Sequence, residues 1–319
     1  MDFADGIRKA ILSDGRALSY NVYGLNSPSD MVIWNVFYFH GFPASRLEAA
    51  LWHSEALSQK IRIIAPDRPG MGHSSMQQGR KISDWPKDVV ELADHLRIQE
   101  FSVLGISGGC PYALACAHDI PNDRLKSIAI CSGAYPTSFG TQGMMFGARL
   151  LLNVASWSPS LVAFAMDQGI GKSSRNQEHP EIFEQKIMKE MESRPSPDKA
   201  CLEDQSFKEL FLDSVKAAFR VSAEGVAWDA KLLATPWGFE LESIQRDKII
   251  LWHGKEDVNS PFPMAQKAQT LLKNAKLIGF DNEGHVSVPV RYAQSLAVGQ
   301  SSLLTIPRYG RKILEGLMV

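Results

Sequence analysis

The 319-residue chain has little net charge, few cysteines and no long apolar run, and each shortage closes off a class of function. Lys and Arg number 34 against 35 Asp and Glu, a formal net charge of -1, and no dense Lys/Arg cluster stands out. That balance gives no reason to expect a nucleic-acid partner. The four cysteines, Cys110, Cys116, Cys131 and Cys201, show no Cys-x-x-Cys spacing and have no clustered histidines beside them. A metal site is therefore not expected, nor is a disulfide framework in so large a chain. No segment reaches the roughly 18 uncharged apolar residues of a membrane helix. The most lipophilic region, residues 144–166, is interrupted by Arg149, Asn153 and Pro159. The opening Met1-Asp2-Phe3-Ala4-Asp5 lacks the basic and apolar parts of a secretory signal, and no Asn-x-Ser/Thr acceptor has an allowed middle residue. A cytoplasmic location is the expectation, with no cofactor, no metal and no stable membrane insertion.

What is present is ordinary globular material: 45% of residues are hydrophobic and 22% charged. The length suffices for one large core, or one core carrying an inserted subdomain. Residues 10–12 and 18–23 flank the turn Ser13-Asp14-Gly15-Arg16 and read as an antiparallel hairpin. Residues 32–39, 61–65, 101–104 and 125–131 are nearly continuous apolar runs, as in parallel strands covered on both faces. Residues 47–59, 82–96 and 110–118 between them suit crossover helices, the second with a capped start at Ser83-Asp84-Trp85-Pro86. Strands alternating with helices predict an α/β fold built on a doubly wound, mostly parallel sheet. From 136 to 235 the alternation stops and helical patterns take over, at 146–156, 159–166, 180–192 and 204–221. Residues 169–176 and 193–198 read as loop-rich breaks among them. Strand character returns at 248–252 and 275–280, around a helix at 263–273. The expected organisation is a core of 1–135 and 236–319 interrupted by an all-helical insert at 136–235, with Trp237-Gly238-Phe239 marking re-entry.

The segment Gly105-Ile106-Ser107-Gly108-Gly109 lies between an apolar run and an Ala-rich helical segment that has Pro111 in its first turn. A Gly-x-Ser-x-Gly at a strand-to-helix junction is the nucleophile-elbow pattern, whose flanking glycines let strand and helix pass closely. Alone it is weak, because glycine-flanked serines are common in loops. An acid and a histidine follow in order. Residues 248–257 run from a buried strand into a polar loop ending at Asp257, and Phe280-Asp281-Asn282-Glu283-Gly284-His285 leaves the next strand. Open α/β sheets bind ligands at the carboxyl ends of their strands, so Ser107, Asp257 and His285 are expected to converge on one edge. Glu256 and Asp281 compete with Asp257 for the acid's place. His40, His73 and His253 are expected to be structural, and Asp67 and Arg68 to shape the loop after the fourth strand.

Across nearly its whole length the chain resembles the α/β-hydrolase superfamily, of the capped, serine-nucleophile type. The resemblance rests on His40-Gly41-Phe42-Pro43, on Asp67-Arg68-Pro69-Gly70-Met71-Gly72-His73-Ser74, on the elbow, and on the Asp257 and His285 loops, in that order. It implies an eight-stranded-type sheet with a helical cap. It also implies Ser107 as nucleophile, His285 as general base and acid, Asp257 as the residue orienting the imidazole, and the backbone N–H groups of Phe42 and Gly108 as the oxyanion hole. The chemistry agrees: a serine hydroxyl needs a base to accept its proton, histidine has a suitable pKa of about 6.5, and a carboxylate fixes its tautomer.

The sequence His40-Gly41-Phe42-Pro43 also resembles a motif of epoxide hydrolases and dehalogenases, which attack with aspartate; Ser107 disfavours that chemistry here. The expected activity is ester hydrolysis through an acyl-enzyme, on a small-molecule substrate. Carbon–carbon hydrolysis, a hydroxynitrile-lyase-like reaction and a non-catalytic ligand receptor are the alternatives on the same scaffold. Met144, Met145, Phe146, Leu150, Trp157, Leu161, Phe164 and Met166 suggest burial against the core and a greasy tunnel for a medium-sized apolar group. One departure from the family is the stretch 292–308, bracketed by Arg291-Tyr292 and Arg308-Tyr309 before a helix-like 309–318. It reads as an insertion or as a gene-model artefact such as a retained intron.

Overall fold

The structure, a computed structural model, describes residues 7–26 and 34–294. Its strands are β1 (Arg8–Ile11), β2 (Ala17–Gly24), β3 (Trp34–Phe39), β4 (Ile61–Pro66), β5 (Phe101–Ile106), β6 (Leu125–Cys131), β7 (Ile249–Gly254) and β8 (Lys276–Phe280). They form one eight-stranded sheet in the order β1-β2-β4-β3-β5-β6-β7-β8. Strand β2 pairs antiparallel with β1 and β4, and every other pairing is parallel. The fold class and the eight-stranded sheet are as anticipated. Chain direction reverses across the sheet between β4 and β5, which lie on opposite sides of β3. The connections after β3 and β5 therefore run to opposite faces of the sheet, and this switch point at the carboxyl ends is where open α/β sheets bind ligands.

The apolar runs became strands because helices cover the sheet on both faces. All six residues of β5 are buried. On one face α2 (Trp85–His95), α3 (Cys110–Asp119) and α11 (Phe262–Leu271) bury Val89, Leu92, Leu114 and Met264 against Phe37, Phe101 and Leu251. On the other, a 3₁₀ helix (Arg46–Trp52), α1 (His53–Ser58) and α12 (Ser287–Gln294) bury Trp52, Ala56 and Val288 against Val36, Ile63 and Leu104. An aromatic column, Phe39 on Trp85 at 5.5 Å and Trp85 on Tyr112 at 5.8 Å, runs beneath the future site. Each such side chain contributes about 1.5–3 kcal/mol by burial.

Between β6 and β7 the chain forms seven α-helices and no strand: α4 (Phe146–Trp157), α5 (Pro159–Met166), α6 (Lys172–Arg175), α7 (Pro180–Met191), α8 (Ser196–Cys201), α9 (Gln205–Ala218) and α10 (Glu224–Ala234). Trp237 is then buried in the main core with Leu241 and Ile244. Two expectations need correction. Residues 169–176 are not a loop: Asp167–Gly171 is a π-helical turn leading into α6, with Gly171 packed against Asp167 and Arg175. Residues 193–198 are not all loop either, because α8 starts at Ser196, where Pro197 fits the first turn without losing a helical hydrogen bond.

The apolar residues expected to line a tunnel are also redistributed. Phe146, Leu150, Trp157, Leu161 and Phe164 are exposed, Trp157 by 69% and Phe146 by 78%. Small residues make the inner contact instead: Ala155, Val162, Ala227 and Ala230 pack together where α4 and α5 meet α10. Close helix approach through alanines turns the bulky stripe of α4 and α5 outward. Residues 32–33 of the expected third strand, the part of the 292–308 stretch beyond Gln294, and residues 309–318 lie outside the described residues.

Candidate active site

Ser107 follows the last residue of β5 at φ +49°, a left-handed conformation uncommon for a residue with a Cβ. The chain turns there through Ser107–Gly109 directly into α3. The glycines are required by close contacts. A Cβ on Gly105 would come within 2.8 Å of the Gly109 carbonyl oxygen and 3.0 Å of Ala113 Cβ, the strand–helix crossing anticipated. A Cβ on Gly109 would meet the Phe39 carbonyl oxygen at 2.1 Å, a contact with β3 that no side chain tolerates. Gly108 faces the loop after β3: a Cβ there would stand 2.7 Å from Phe42 Cβ and 3.3 Å from Phe42 N. The two backbone amides named as oxyanion donors are thus neighbours.

The three side chains that stand 150 and 28 residues apart in sequence form one hydrogen-bonded line. His285 Nε2 lies 2.7 Å from Ser107 Oγ, and His285 Nδ1 lies 2.7 Å from Asp257 Oδ2. Asp257 is buried, and its other oxygen accepts the N–H groups of Asn259 at 2.8 Å and Ser260 at 2.9 Å. Burial pushes the Asp257 carboxyl up, but attraction to His285 and hydrogen bonds from His253 and His285 outweigh it and hold it well below the usual carboxylate range. An ionised carboxylate on Nδ1 leaves Nε2 as the basic nitrogen, facing the serine hydroxyl. Of the competing acids, Glu256 is exposed and Asp281 pairs with Lys255 at 2.8 Å on the surface.

His253, expected to be structural, touches this line. Its Nε2 lies between two acceptors, Ser260 O at 2.6 Å and Asp257 Oδ2 at 3.1 Å, so Nε2 carries the proton and donates to both. His40 is fully buried, its Nδ1 3.0 Å from Gly41 O, and its Nε2 accepts the Arg68 N–H. Burial, reinforced by the Arg68 charge, pushes its imidazole well below the ordinary histidine range and keeps it neutral. His73 is partly exposed and donates its backbone N–H to Asp67 at 3.4 Å. Asp67 and Arg68 do not pair with each other. Asp67 holds Arg46 at 2.8 Å and Ser19 at 2.8 Å, whereas Arg68 reaches Asp229 of α10 at 2.8 Å.

Further residues around the site were not singled out from the sequence. Glu48 accepts the Gly41 N–H at 2.7 Å and the Tyr38 hydroxyl at 2.9 Å, fixing the chain just before Phe42. Burial raises its carboxyl, opposed by those same two hydrogen bonds. Arg68 donates to the carbonyls of His40 at 2.5 Å and Gly41 at 2.8 Å, and with Arg80 at 2.8 Å it clasps Asp229; the Tyr112 hydroxyl bonds the same carboxylate. Asp198 of α8 accepts backbone N–H groups from His285, Val286 and Ser287. No local sequence signal marks these partners: the Arg68, Arg80, Tyr112 and Asp198 contacts join segments far apart in the chain, and the nearer Glu48 contacts follow no helix or strand period. Among the described residues no group of three His, Cys, Asp or Glu is placed to hold a metal ion, and no helix is long and apolar enough to cross a membrane.

A family model for the alpha/beta hydrolase family matches residues 36–296. An uncharacterized hydrolase of Bacillus subtilis, YcgS, is 29% identical over 124 residues, 39% of this chain and 40% of that protein. The magnesium-chelatase 30 kDa subunit of Rhodobacter capsulatus is 32% identical over 121 residues, 36% of this chain and 42% of that protein. The matched part thus spans about two fifths of each of these curated relatives. Among solved structures, a thermophilic esterase from Thermogutta terrifontis shares the fold with a TM-score of 0.58 at 21% identity, over 91% of this chain and 96% of that one.

Proposed function

The chain belongs to the alpha/beta hydrolase family, and from that premise we propose that it is a serine hydrolase acting on carboxylic esters with a small to medium apolar group. The observation that carries the proposal is the unbroken line from Ser107 Oγ through His285 to Asp257, with both hydrogen bonds at 2.7 Å. In the proposed reaction His285 Nε2 takes the Ser107 proton as Oγ adds to the ester carbonyl. The oxyanion is stabilised by the N–H groups of Phe42 and Gly108, the latter at the start of the elbow helix where free amides point outward. The imidazolium then returns the proton to the departing alcohol, leaving an acyl-serine. Water, deprotonated by the same imidazole, adds to the acyl carbon; the carboxylic acid leaves and Ser107 recovers its proton. Asp257 orients the ring and balances the imidazolium charge in both halves.

The apolar preference draws on Phe42, which packs against two apolar clusters of the helical section beside the proposed oxyanion hole. Met166 packs against both of these clusters and Ile170 against one of them, and methionine adapts readily to varied shapes. This replaces the exposed residues of α4 and α5 as the apolar lining.

Two measurements test the reading. A fluorophosphonate probe is expected to label the folded protein, and Ser107→Ala to abolish labelling; an unlabelled, folded wild-type protein would refute the serine-hydrolase reading. In a series of p-nitrophenyl esters, kcat/KM is expected to rise from acetate to butyrate by about 15-fold, since each of the two added CH₂ groups contributes about 0.8 kcal/mol when buried. A preference for acetate alone would refute the apolar pocket.

A further inference from the structure

We propose that Asp198, a residue of the helical section, is a positioning residue for His285, so that α8 and the histidine loop act as one unit. The proposal rests on the assignment of His285 as the general base. Asp198 is completely buried. Its Oδ2 accepts the His285 N–H at 3.0 Å, and its Oδ1 accepts the N–H groups of Val286 and Ser287, each at 2.9 Å. These three consecutive amides lead into the first residue of α12, where no earlier helical turn supplies acceptors. The cap that satisfies them comes from a segment 87 residues upstream of His285 rather than from the helix's own start.

The local sequence is shaped around this carboxyl group. A Cβ on Gly284 would stand 2.5 Å from Asp198 Oδ1, so glycine is needed immediately before His285 for the carboxyl group to reach the amides. The Gly284 N–H is itself used, donating to Ser287 Oγ at 2.8 Å. Apolar contacts dock the two elements independently: Cys201 of α8, Phe207 of α9 and Val290 of α12 form a buried cluster with Val286 packed against it. The backbone of His285 is thereby held from the helical section while its ring is held by Asp257. Any shift of α8, whether on substrate entry or product release, moves the His285 backbone with it.

The test compares wild type, Asp198→Ala and Asp198→Asn in the full chain. Fluorophosphonate labelling counts competent sites, and p-nitrophenyl butyrate turnover gives kcat per labelled site and KM. The alanine variant is expected to lower kcat per site by about 10- to 100-fold, the scale of a 1 Å misplacement of a reacting group, with KM changed less than about twofold. The asparagine variant keeps one acceptor oxygen and is expected to recover part of the lost kcat. A readout without turnover is the downfield NMR resonance of the His285 Nδ1 proton, expected in wild type and broadened or shifted in Asp198→Ala. Unchanged kcat per site together with an unchanged resonance overturns the proposal, as does a loss confined to the number of labelled sites. If wild type hydrolyses no ester, the general-base assignment fails, and the resonance alone still decides whether Asp198 positions the ring.

Discussion

Replacing His285 by alanine is expected to lower kcat for a p-nitrophenyl ester by about six orders of magnitude, leaving a residual rate above that in water. The size follows from the geometry. With the ring gone, Ser107 Oγ has no base at 2.7 Å to accept its proton, and at neutral pH a hydroxyl is a poor nucleophile without one. The proposed acid role would fail in the same stroke, because the departing alcohol would then lack a proton donor. The substitution leaves the amides of Phe42 and Gly108, the proposed oxyanion hole, which would account for the expected residual rate. Asp257→Asn is expected to cost less, about four orders of magnitude, since the ring stays in place but its tautomer is no longer enforced. Stopped-flow turnover normalised to folded protein checks both values. A His285→Ala protein losing less than about tenfold would show that the line from Ser107 to Asp257 is not the reactive one.

Asp229→Asn is expected to produce the largest loss of stability, about 3–5 kcal/mol, because it strips the counter-charge from two buried guanidinium groups. Arg68 and Arg80 both reach Asp229 at 2.8 Å, and all three side chains are almost wholly shielded from water. Burial pushes the Asp229 carboxyl up, but the charges of Arg68 and Arg80 outweigh that and bring it down to about 2. The sign of the pH effect follows. A carboxyl whose folded pKa lies below its ordinary 3.8 contributes stability that is complete above pH 3.8 and lost as pH falls through about 2. The variant should therefore be less stable at neutral pH and show a flatter decline in strong acid. Urea denaturation at pH 7 and pH 3 measures both. Equal midpoints for variant and wild type at pH 7 would contradict the buried-cluster argument. Activity should fall as well, since Arg68 also holds the His40 and Gly41 carbonyls next to Phe42.

Much of the core could be read in the sequence because its signals are local. Residues 125–131 are apolar almost throughout, and β6 spans Leu125–Cys131. Strand β5 runs two residues beyond the expected end at Leu104, to Ile106, because the elbow turns only at Ser107. In the helical section the element type was legible but its orientation was not. Phe146 and Trp157 have the same apolar character as Phe183 and Ile187, yet the first pair is exposed and the second buried. Periodicity finds an apolar stripe on a helix, and only its neighbours decide whether that stripe or the opposite alanines meet the core.

The candidate site divides along the same line. Ser107, Asp257 and His285 stood out because each follows an apolar run, and strand ends on a parallel sheet share one edge by topology. Their order, the glycines at 105 and 109, and the exclusion of an aspartate nucleophile were all properties of the sequence alone. Asp257 was the expected acid ahead of Glu256 and Asp281, but its hydrogen bond to the imidazole required coordinates, since loop carboxylates differ in direction. So did the pairing of Arg68 with Asp229 instead of Asp67, the anchoring of Gly41 by Glu48, the contact of His253 with Asp257, and the seat of Asp198 under the histidine loop. Backbone pattern depends on neighbours three or four residues away and is written locally. Buried polar groups instead take whichever partner the packed chain brings within 3 Å, so their pairing exists only once the tertiary structure has formed.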